Sequence, residues 1–259
     1  LIADKKITAG ESPVHLIDIE TGKPVLTQHG SVYWNNHRQR WVMVISQSFG
    51  SSMLGEIWFA EAARPEGPWV YARKIVTHDD YSFYNPKQHP YFAKDGGRIL
   101  FFEATYTSTF SGNKHPTPLY DYNQVMYRLQ LDDPRLNLPT PIYERVDNDG
   151  STWSTVRYGD AAPRFFALPK PAEGTIPVGW DEATGRLVRL AKAADALFHA
   201  AADPAALGMD YLLPLHEWTR ANQAQTIYSH DGNPPSNGKW KRSVEPLCHV
   251  WPLRRLISP

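Results

Sequence analysis

The amino-acid sequence predicts an all-β protein in which propeller-like blades, forming part of a five-bladed propeller, precede a small β-rich module. Residues 28–45 and 88–102 repeat each other, because both start with Gln-His, pass through a polar turn and re-enter an apolar segment at an arginine. Self-similarity at a period of about 60 residues indicates a repeat architecture. Each unit opens with two apolar segments around a turn, and a sheet of about four such strands is typical of a propeller blade.

The first part of the chain divides into strands in a regular order. Residues 14–27 predict a strand, a turn and a second strand, which is the outer hairpin of a blade whose inner strands would lie before residue 1. The first complete unit covers residues 28–76, with its third strand at 56–62 and its fourth at 69–76. The second unit covers residues 84–146, with strands at 88–92, 98–102, 122–131 and 142–146. Its insertion at 107–121 is long enough to reach over a site.

The character of the chain changes between residues 150 and 160, and we expect two domains, 1–150 and 151–259. The Ala- and Leu-rich segment 187–202 predicts one helix that ends before Pro204. Three short segments of similar sequence, which begin at Pro177, Pro214 and Pro246, predict a module of β-hairpins around this helix.

Composition excludes several classes of partner. The 259 residues carry 27 basic and 27 acidic side chains, which gives no reason to expect nucleic acid or an anionic membrane. No apolar run approaches the ~20 residues of a membrane span. The 9 Trp and 13 Tyr either fill a sheet core or offer flat surfaces on which sugar rings stack. Cys248 is the only cysteine, so no intrachain disulfide is expected, and the start at Leu1 favours a fragment.

The turn Pro65-Glu66-Gly67-Pro68-Trp69 follows the predicted third strand. In this order it resembles blades of the five-bladed propeller glycoside hydrolases, the superfamily of family 43 arabinofuranosidases and xylosidases. The resemblance covers residues 14–146 and implies hydrolysis of O-glycosyl bonds by an extracellular or periplasmic protein. Related enzymes carry a base Asp on the inner strand of an early blade, and this chain shows none.

The C-terminal part is similar to a repeat of secreted bacterial proteins to which adhesion or sugar binding is ascribed. The similarity is carried by residues 165–169, 175–178 and 181–185, which hold an aromatic pair before Ala-Leu-Pro, a Pro-Val strand and an Ala-Thr-Gly turn.

Residues at the starts of the innermost strands would meet at the mouth of a propeller channel. His29 and His89 stand at such starts, so we expect both imidazoles to bind one ligand or share a cation. The alternative is that each bonds the backbone of a neighbouring blade. The further substrate-binding candidates are Tyr84, Asn85, Gln88 and Tyr106. No cofactor is expected, with a structural Ca²⁺ or another cation in the channel as the alternative.

Glycoside hydrolysis needs a protonated carboxylic acid and a second carboxylate. Glu103 ends an apolar strand where burial would raise its pKa, and it replaces Ile45 of the preceding unit. A buried ion pair with an arginine such as Arg128 is the alternative. Asp80, beside Asp79, would serve as base or bind a cation, unless the pair is a solvated turn. Glu56 is expected at the surface.

These residues favour a carbohydrate-active, glycoside hydrolase-like protein acting on a polysaccharide or oligosaccharide. The alternatives are a non-catalytic carbohydrate-binding or adhesion protein and a structural propeller. A Gly-rich phosphate loop, HExxH and Gly-x-Ser-x-Gly are absent from the sequence.

Overall fold

The computed structural model describes residues 14–116, 119, 121–147, 150–220, 226–230, 232 and 239–253, and within them the protein is all-β. The chain forms two compact units that divide between Leu138 and Pro139, earlier than the predicted boundary at residue 150.

Two sheets make up the described part of the first unit. Its strands are β1 (Val14–Asp18), β2 (Thr27–Asn35), β3 (Arg40–Gln47), β4 (Ile57–Ala62), β5 (Trp69–Val76), β6 (Ser82–Gln88), β7 (Ile99–Thr107) and β8 (Asn123–Gln130). Short 3-10 turns occupy Pro90–Phe92, Asp95–Gly97 and Pro134–Leu136.

The first sheet is the predicted four-stranded antiparallel unit with one added strand. Its order is β1-β5-β4-β3-β2, and β1 runs parallel to β5 at the edge. Strands β3 and β4 are apolar along almost their whole length and are buried on both faces. Met43, Trp58, Ala60 and Trp69 form the centre of one core cluster, so the apolar runs of the sequence become the interior strands.

The second sheet has three strands, in the order β6-β7-β8. The predicted fourth strand at 142–146 is wrong as part of this sheet, because that segment pairs with strands of the second unit. The predicted strand at 88–92 is also wrong. The strand lies earlier, at Ser82–Gln88, and Pro90 opens a 3-10 turn that leaves Tyr91 and Phe92 exposed. The described strands form no closed sheet, so the propeller stays a prediction.

The two sheets share a pattern of register. The β2–β3 ladder is irregular between Thr27 and Gly30, and the β6–β7 ladder is irregular between Tyr84 and Lys87. The pair Gly30–Ile45 therefore corresponds to the pair Lys87–Glu103. Equivalent positions of β2 and β6 are 57 residues apart, and equivalent positions of β3 and β7 are 58 residues apart. The Gln-His pairs, 60 residues apart, do not occupy equivalent positions.

A buried glutamine joins the two sheets. The Gln88 side-chain amide donates to the carbonyl oxygens of Ser31 and Val42, at 2.8 and 3.1 Å, and the Gln88 backbone N–H donates to the Ser31 hydroxyl at 2.8 Å. At the 57-residue offset Gln88 corresponds to Ser31. The first strands of the two sheets therefore lie side by side and touch at equivalent positions.

A buried ion pair fixes the end of the first unit. Arg38 donates to both oxygens of Glu61, at 2.5 and 2.8 Å, and to the Leu136 carbonyl oxygen at 3.1 Å. The exposed fractions of the two side chains are 9% and 3%. Glu61 also lies 3.8 Å from Arg40, whereas removing the Glu61 charge leaves the buried Arg38 guanidinium without a counter-charge in a low-dielectric site.

The second unit contains the remaining strands. They are β9 (Thr140–Asp147), β10 (Gly150–Ser154), β11 (Phe165–Ala167), β12 (Thr175–Asp181), β13 (Arg186–Arg189), β14 (Phe198–Ala201), β15 (Leu213–Arg220), β16 (Thr226–Ser229), β17 (Trp240–Arg242) and β18 (Cys248–Val250). A 3-10 turn at Ala193–Asp195 and the single-turn helix α1 (Pro204–Leu207) complete it.

The strands of the second unit form two sheets. Strand β9 lies between β10 and β11, and a seven-stranded sheet has the order β13-β12-β14-β18-β15-β16 with β17 paired to β15. The three similar segments that begin at Pro177, Pro214 and Pro246 contain residues of β12, β15 and β18, which belong to this one sheet. Each supplies a buried residue to the core, Val178, Leu215 and Cys248 respectively.

The helix predicted at 187–202 is wrong. The segment forms β13 and β14, which pair antiparallel with β12 on either side. Phe198 and Ala200 point into the core at alternate positions, as strand geometry requires. Burial of this face outweighs the helix propensity of alanine.

We predict that Glu61→Gln lowers the free energy of unfolding of the first unit by about 3–5 kcal/mol, because it leaves the Arg38 guanidinium buried without its counter-charge. Urea unfolding followed by tryptophan fluorescence measures this change. The control is Glu66→Gln, which breaks the exposed pair with Arg64 and should leave the unfolding midpoint almost unchanged. Equal effects of the two substitutions would contradict the assignment.

Candidate functional site

A cavity of about 320 Å³ lies where the two sheets of the first unit meet. Three predicted substrate-binding residues, His29, Tyr84 and Asn85, line it. The other lining residues are Gln28, Met53, Leu54 and Phe110. The set contains no Asp, Glu, Lys or Arg, and the surface that it exposes to the cavity is almost entirely apolar.

The matching irregularities of the two ladders explain why these residues meet. Gln28 and His29 fall inside the irregularity of β2, and Asn85 falls inside that of β6, with a left-handed φ of 59°. An extra residue in a strand bends it and redirects its side chains. Since β2 and β6 lie side by side, both bends open toward the same space. Gly30 permits β2 to approach β3 closely at this bend, because a Cβ there would lie 2.4 Å from the Val44 carbonyl oxygen.

Two further hydrogen-bonded residues hold the walls of the cavity. The Ser82 hydroxyl lies 2.6 Å from the Met53 carbonyl oxygen and 2.8 Å from the Thr109 carbonyl oxygen. Asp121 accepts from the Ser108 backbone N–H and from the Thr107 hydroxyl, both at 2.8 Å. These bonds, the Ser108 backbone bond foremost, lower the pKa of the Asp121 carboxyl. The loop that carries Phe110 is thereby fixed by a charged acceptor.

Aromatic rings continue outward from the cavity. Tyr84 contacts Phe110 edge to face, with ring centroids 6.2 Å apart, and its hydroxyl bonds the Tyr122 hydroxyl at 2.8 Å. This bond raises the pKa of the Tyr84 phenol. Phe110 and Tyr122 are 64% and 68% exposed. Phe110 belongs to the insertion predicted to reach over a site, whereas nothing in the sequence pointed to Met53 and Leu54.

His89 does not share this cavity, which corrects the prediction that the two histidines converge. His89 follows the end of β6 and is buried, with Nδ1 2.9 Å from the Tyr91 hydroxyl and Nε2 3.0 Å from a Glu103 carboxylate oxygen. By the ladder register the residue equivalent to His29 is Pro86. Gln88 is likewise turned away, toward the bonds that join the sheets.

The predicted carboxylate pair lies apart. Glu103 stands opposite Lys87 on the ladder, and Ser82, at the start of β6, is five residues further, which is about 15 Å of strand. Asp80 precedes Ser82 in an exposed turn with a φ of 60°. The two carboxylates therefore occupy opposite ends of β6. The partner of Glu103 is His89 rather than an arginine.

The remaining candidates lie in a buried cluster beside the cavity. Tyr106 stacks on Tyr81, with ring centroids 4.4 Å apart, and burial raises the pKa of its phenol. Glu56 is 1% exposed, so its expected surface position is wrong, and it accepts from the Ser51 backbone N–H at 2.5 Å. His78 lies 2.9 Å from both the Gly55 carbonyl oxygen and the Tyr127 hydroxyl.

The described residues contain no group of three or more His, Cys, Asp or Glu side chains that could hold a metal ion. Within the same residues, no helix has the length and apolar character of a membrane span.

No protein-family model and no curated protein matches the chain.

We predict that Gln88→Ala lowers the free energy of unfolding by about 2–4 kcal/mol, because a buried amide with two acceptors is lost and a cavity replaces it. Urea unfolding measures the change. Gln124→Ala is the matched control, since Gln124 is exposed and makes one bond, to the Thr105 hydroxyl. A Gln88 variant as stable as the control would show that the two sheets are joined by other contacts.

The His78 environment predicts a loss of stability in acid. The Gly55 carbonyl oxygen can only accept, so Nδ1 carries a proton, and in the neutral ring Nε2 accepts from the Tyr127 hydroxyl. Burial lowers the pKa of His78 below its ordinary value of 6.5. The unfolded chain therefore binds the proton first, and stability falls as the pH drops below about 6.5 toward the folded-state pKa.

The measurement compares unfolding free energies at about pH 7.5 and about pH 5.5. We expect His78→Gln to show a smaller acid loss than the unsubstituted protein. His37→Gln, which changes an exposed histidine, should keep the full loss. If both variants lose stability equally, the acid sensitivity belongs to other groups, such as the buried His199 and His216, whose pKa values burial also lowers.

Proposed function

We propose that the first unit binds a neutral carbohydrate in the cavity between β2 and β6. The observation that supports this most is the aromatic, almost entirely apolar surface of the cavity, where the exposed Phe110 ring lies beside Tyr84 and the lining includes His29 and Asn85. Apolar walls with a few placed polar groups are the usual construction of small-molecule sites. A sugar ring presents an apolar C–H face for stacking and hydroxyls for the polar groups.

The propeller fold is part of the same proposal. Strand β2 of the first sheet and strand β6 of the second sheet lie side by side, and they are joined at the equivalent positions Ser31 and Gln88. This is the relation expected of inner strands in adjacent blades around a channel. The resemblance to propeller glycoside hydrolases supports an extracytoplasmic location, and we propose that as well.

Binding is favoured over hydrolysis by the positions of the carboxylates. An inverting or retaining glycosidase needs two carboxyl groups within about 10 Å across the scissile bond. Glu103 and Asp80 lie at opposite ends of β6, and Glu103 is in contact with His89. Exposed aromatic rings at the cavity, with no acidic residue in its lining, suit a protein that holds sugar without cleaving it.

We predict that the protein binds at least one of xylotriose, arabinotriose and cellotriose in isothermal titration calorimetry. Phe110→Ala and His29→Ala should each weaken that binding at least about tenfold, because each removes one kind of contact, stacking or hydrogen bonding. Tyr158→Ala is the control, since Tyr158 is an exposed aromatic residue of the second unit. Circular dichroism confirms that the variants fold.

Three results would contradict the proposal. One is the absence of binding by all three trisaccharides. Another is a loss of binding in Tyr158→Ala but not in Phe110→Ala, which would move the site to the second unit. The third is release of reducing ends from xylan or arabinan that stops in Glu103→Gln, which would restore hydrolysis with Glu103 as the acid.

A further inference from the structure

A second cavity, of about 270 Å³, lies at the other end of β2. Its lining includes Tyr33 and Trp34 from the end of β2, Gln88 and Pro90 from the end of β6, and Gly97 from the turn before β7. From Gln28 to Trp34 the strand advances about 20 Å, so this cavity is separate from the first one. Neither the repeat nor the resemblance to a family pointed to it.

The Trp34 indole is held in place with part of its surface open. Its Nε1–H donates to the Asn36 side-chain oxygen at 2.9 Å, and its ring meets Trp41 edge to face at 5.9 Å between centroids. The side chain is nevertheless 42% exposed, and the neighbouring Tyr33 is 36% exposed. A large aromatic residue restrained by two contacts yet open to solvent presents a rigid stacking surface at low entropic cost.

The opposite wall is also fixed. The Asn35 amide donates to the Gly97 carbonyl oxygen at 2.9 Å, and the Asn35 side-chain oxygen accepts from the Arg38 backbone N–H at 2.8 Å. Gly97 has a φ of 97°, and a Cβ there would lie 3.0 Å from the Asn35 amide nitrogen. Glycine at this position thus allows the turn to close against β2, and the cavity exists before any ligand arrives.

The polar groups of this cavity suit an uncharged ligand. Its described lining contains no Asp, Glu, Lys, Arg or His, so it cannot neutralise a phosphate, a carboxylate or an ammonium group. The Gln88 side chain is 2% exposed and its amide nitrogen donates to two carbonyl oxygens, so it forms part of the wall. The exposed polar side chains of the lining are those of Tyr33 and Asn36. An aromatic ring in an uncharged lining repeats the chemistry of the first cavity.

We infer that the second cavity is a second carbohydrate site, and that one long polysaccharide chain engages both sites of the first unit. The class of ligand in this inference rests on the proposed function of the first cavity, whereas the location of the second site does not. Two sites on one rigid unit raise the affinity for a polymer above that of either site, because the second binding event becomes intramolecular.

The test uses xylotriose, arabinotriose and cellotriose, with xylan, arabinan and a soluble β-glucan as the matching polymers. The unsubstituted protein should bind two equivalents of a trisaccharide, and Trp34→Ala and Phe110→Ala should each bind one. Trp34→Phe, which keeps an aromatic face, should retain the second equivalent with weaker affinity. For the matching polymer, each alanine variant should lose at least about tenfold in affinity, while the remaining trisaccharide site keeps its own affinity.

The outcomes separate the two proposals. One equivalent in the unsubstituted protein, removed by Phe110→Ala and unaffected by Trp34→Ala, overturns the second site and leaves the proposed function standing. One equivalent removed only by Trp34→Ala overturns the first site as the proposed function describes it, together with two-site binding. No binding of any trisaccharide overturns both. Two equivalents with unchanged polymer affinity in both alanine variants overturn the engagement of one chain by the two sites.

Discussion

The contact on which the first unit depends is the buried amide of Gln88. Its nitrogen reaches across from β6 to carbonyl oxygens of both β2 and β3, and its backbone N–H bonds Ser31. These bonds set two different sheets side by side at equivalent positions. Because the two strands are held at this point, the space on either side of it is defined, with one cavity at the paired irregularities and the other at the end of β2. A hydrogen bond in a low-dielectric interior is strong when it is made and costly when it is broken. The bonds of Gln88 therefore fix the position of β6 relative to β2 and β3.

Much of the sheet structure could be predicted from local pattern, and the failures have identifiable causes. Strand β5 has the predicted bounds, and β2, β3, β4 and β8 lie within a few residues of theirs, because apolar runs bounded by turns leave few other ways to bury them. The segment 88–92 failed because Tyr91 and Phe92 look like strand residues, although Pro90 removes a backbone donor and begins a 3-10 turn. The segment 187–202 failed because helix propensity is a weak preference, and the burial of Phe198 and Ala200 in the core of the sheet outweighs it.

The candidate site shows a different limit. Identical letters at a 60-residue spacing suggested that His29 and His89 were equivalent, but equivalence is set by the ladders, which give 57 for the first strands and 58 for the second. Gln88 and His89 lie three residues beyond Asn85 and Pro86, the positions equivalent to Gln28 and His29, and a single sequence carries no mark of that difference. The relation between Glu103 and Ile45 was predictable because it lies on strands with continuous pairing. Residues brought in by neighbouring loops, such as Met53, carry no local signal at all.

The structure gives the carboxylate of Glu103 a histidine partner, and its role as a general acid stays a prediction. At the position where the first sheet has the apolar Ile45, the second has a carboxylate facing Lys87 across the ladder and in contact with His89. Neither Glu103 nor Lys87 is among the residues that line the two cavities. Neutral linings exclude ions by desolvation and retain ligands whose hydroxyls and C–H faces can both be matched. The proposal of an uncharged, polyhydroxylated ligand therefore rests on these uncharged linings.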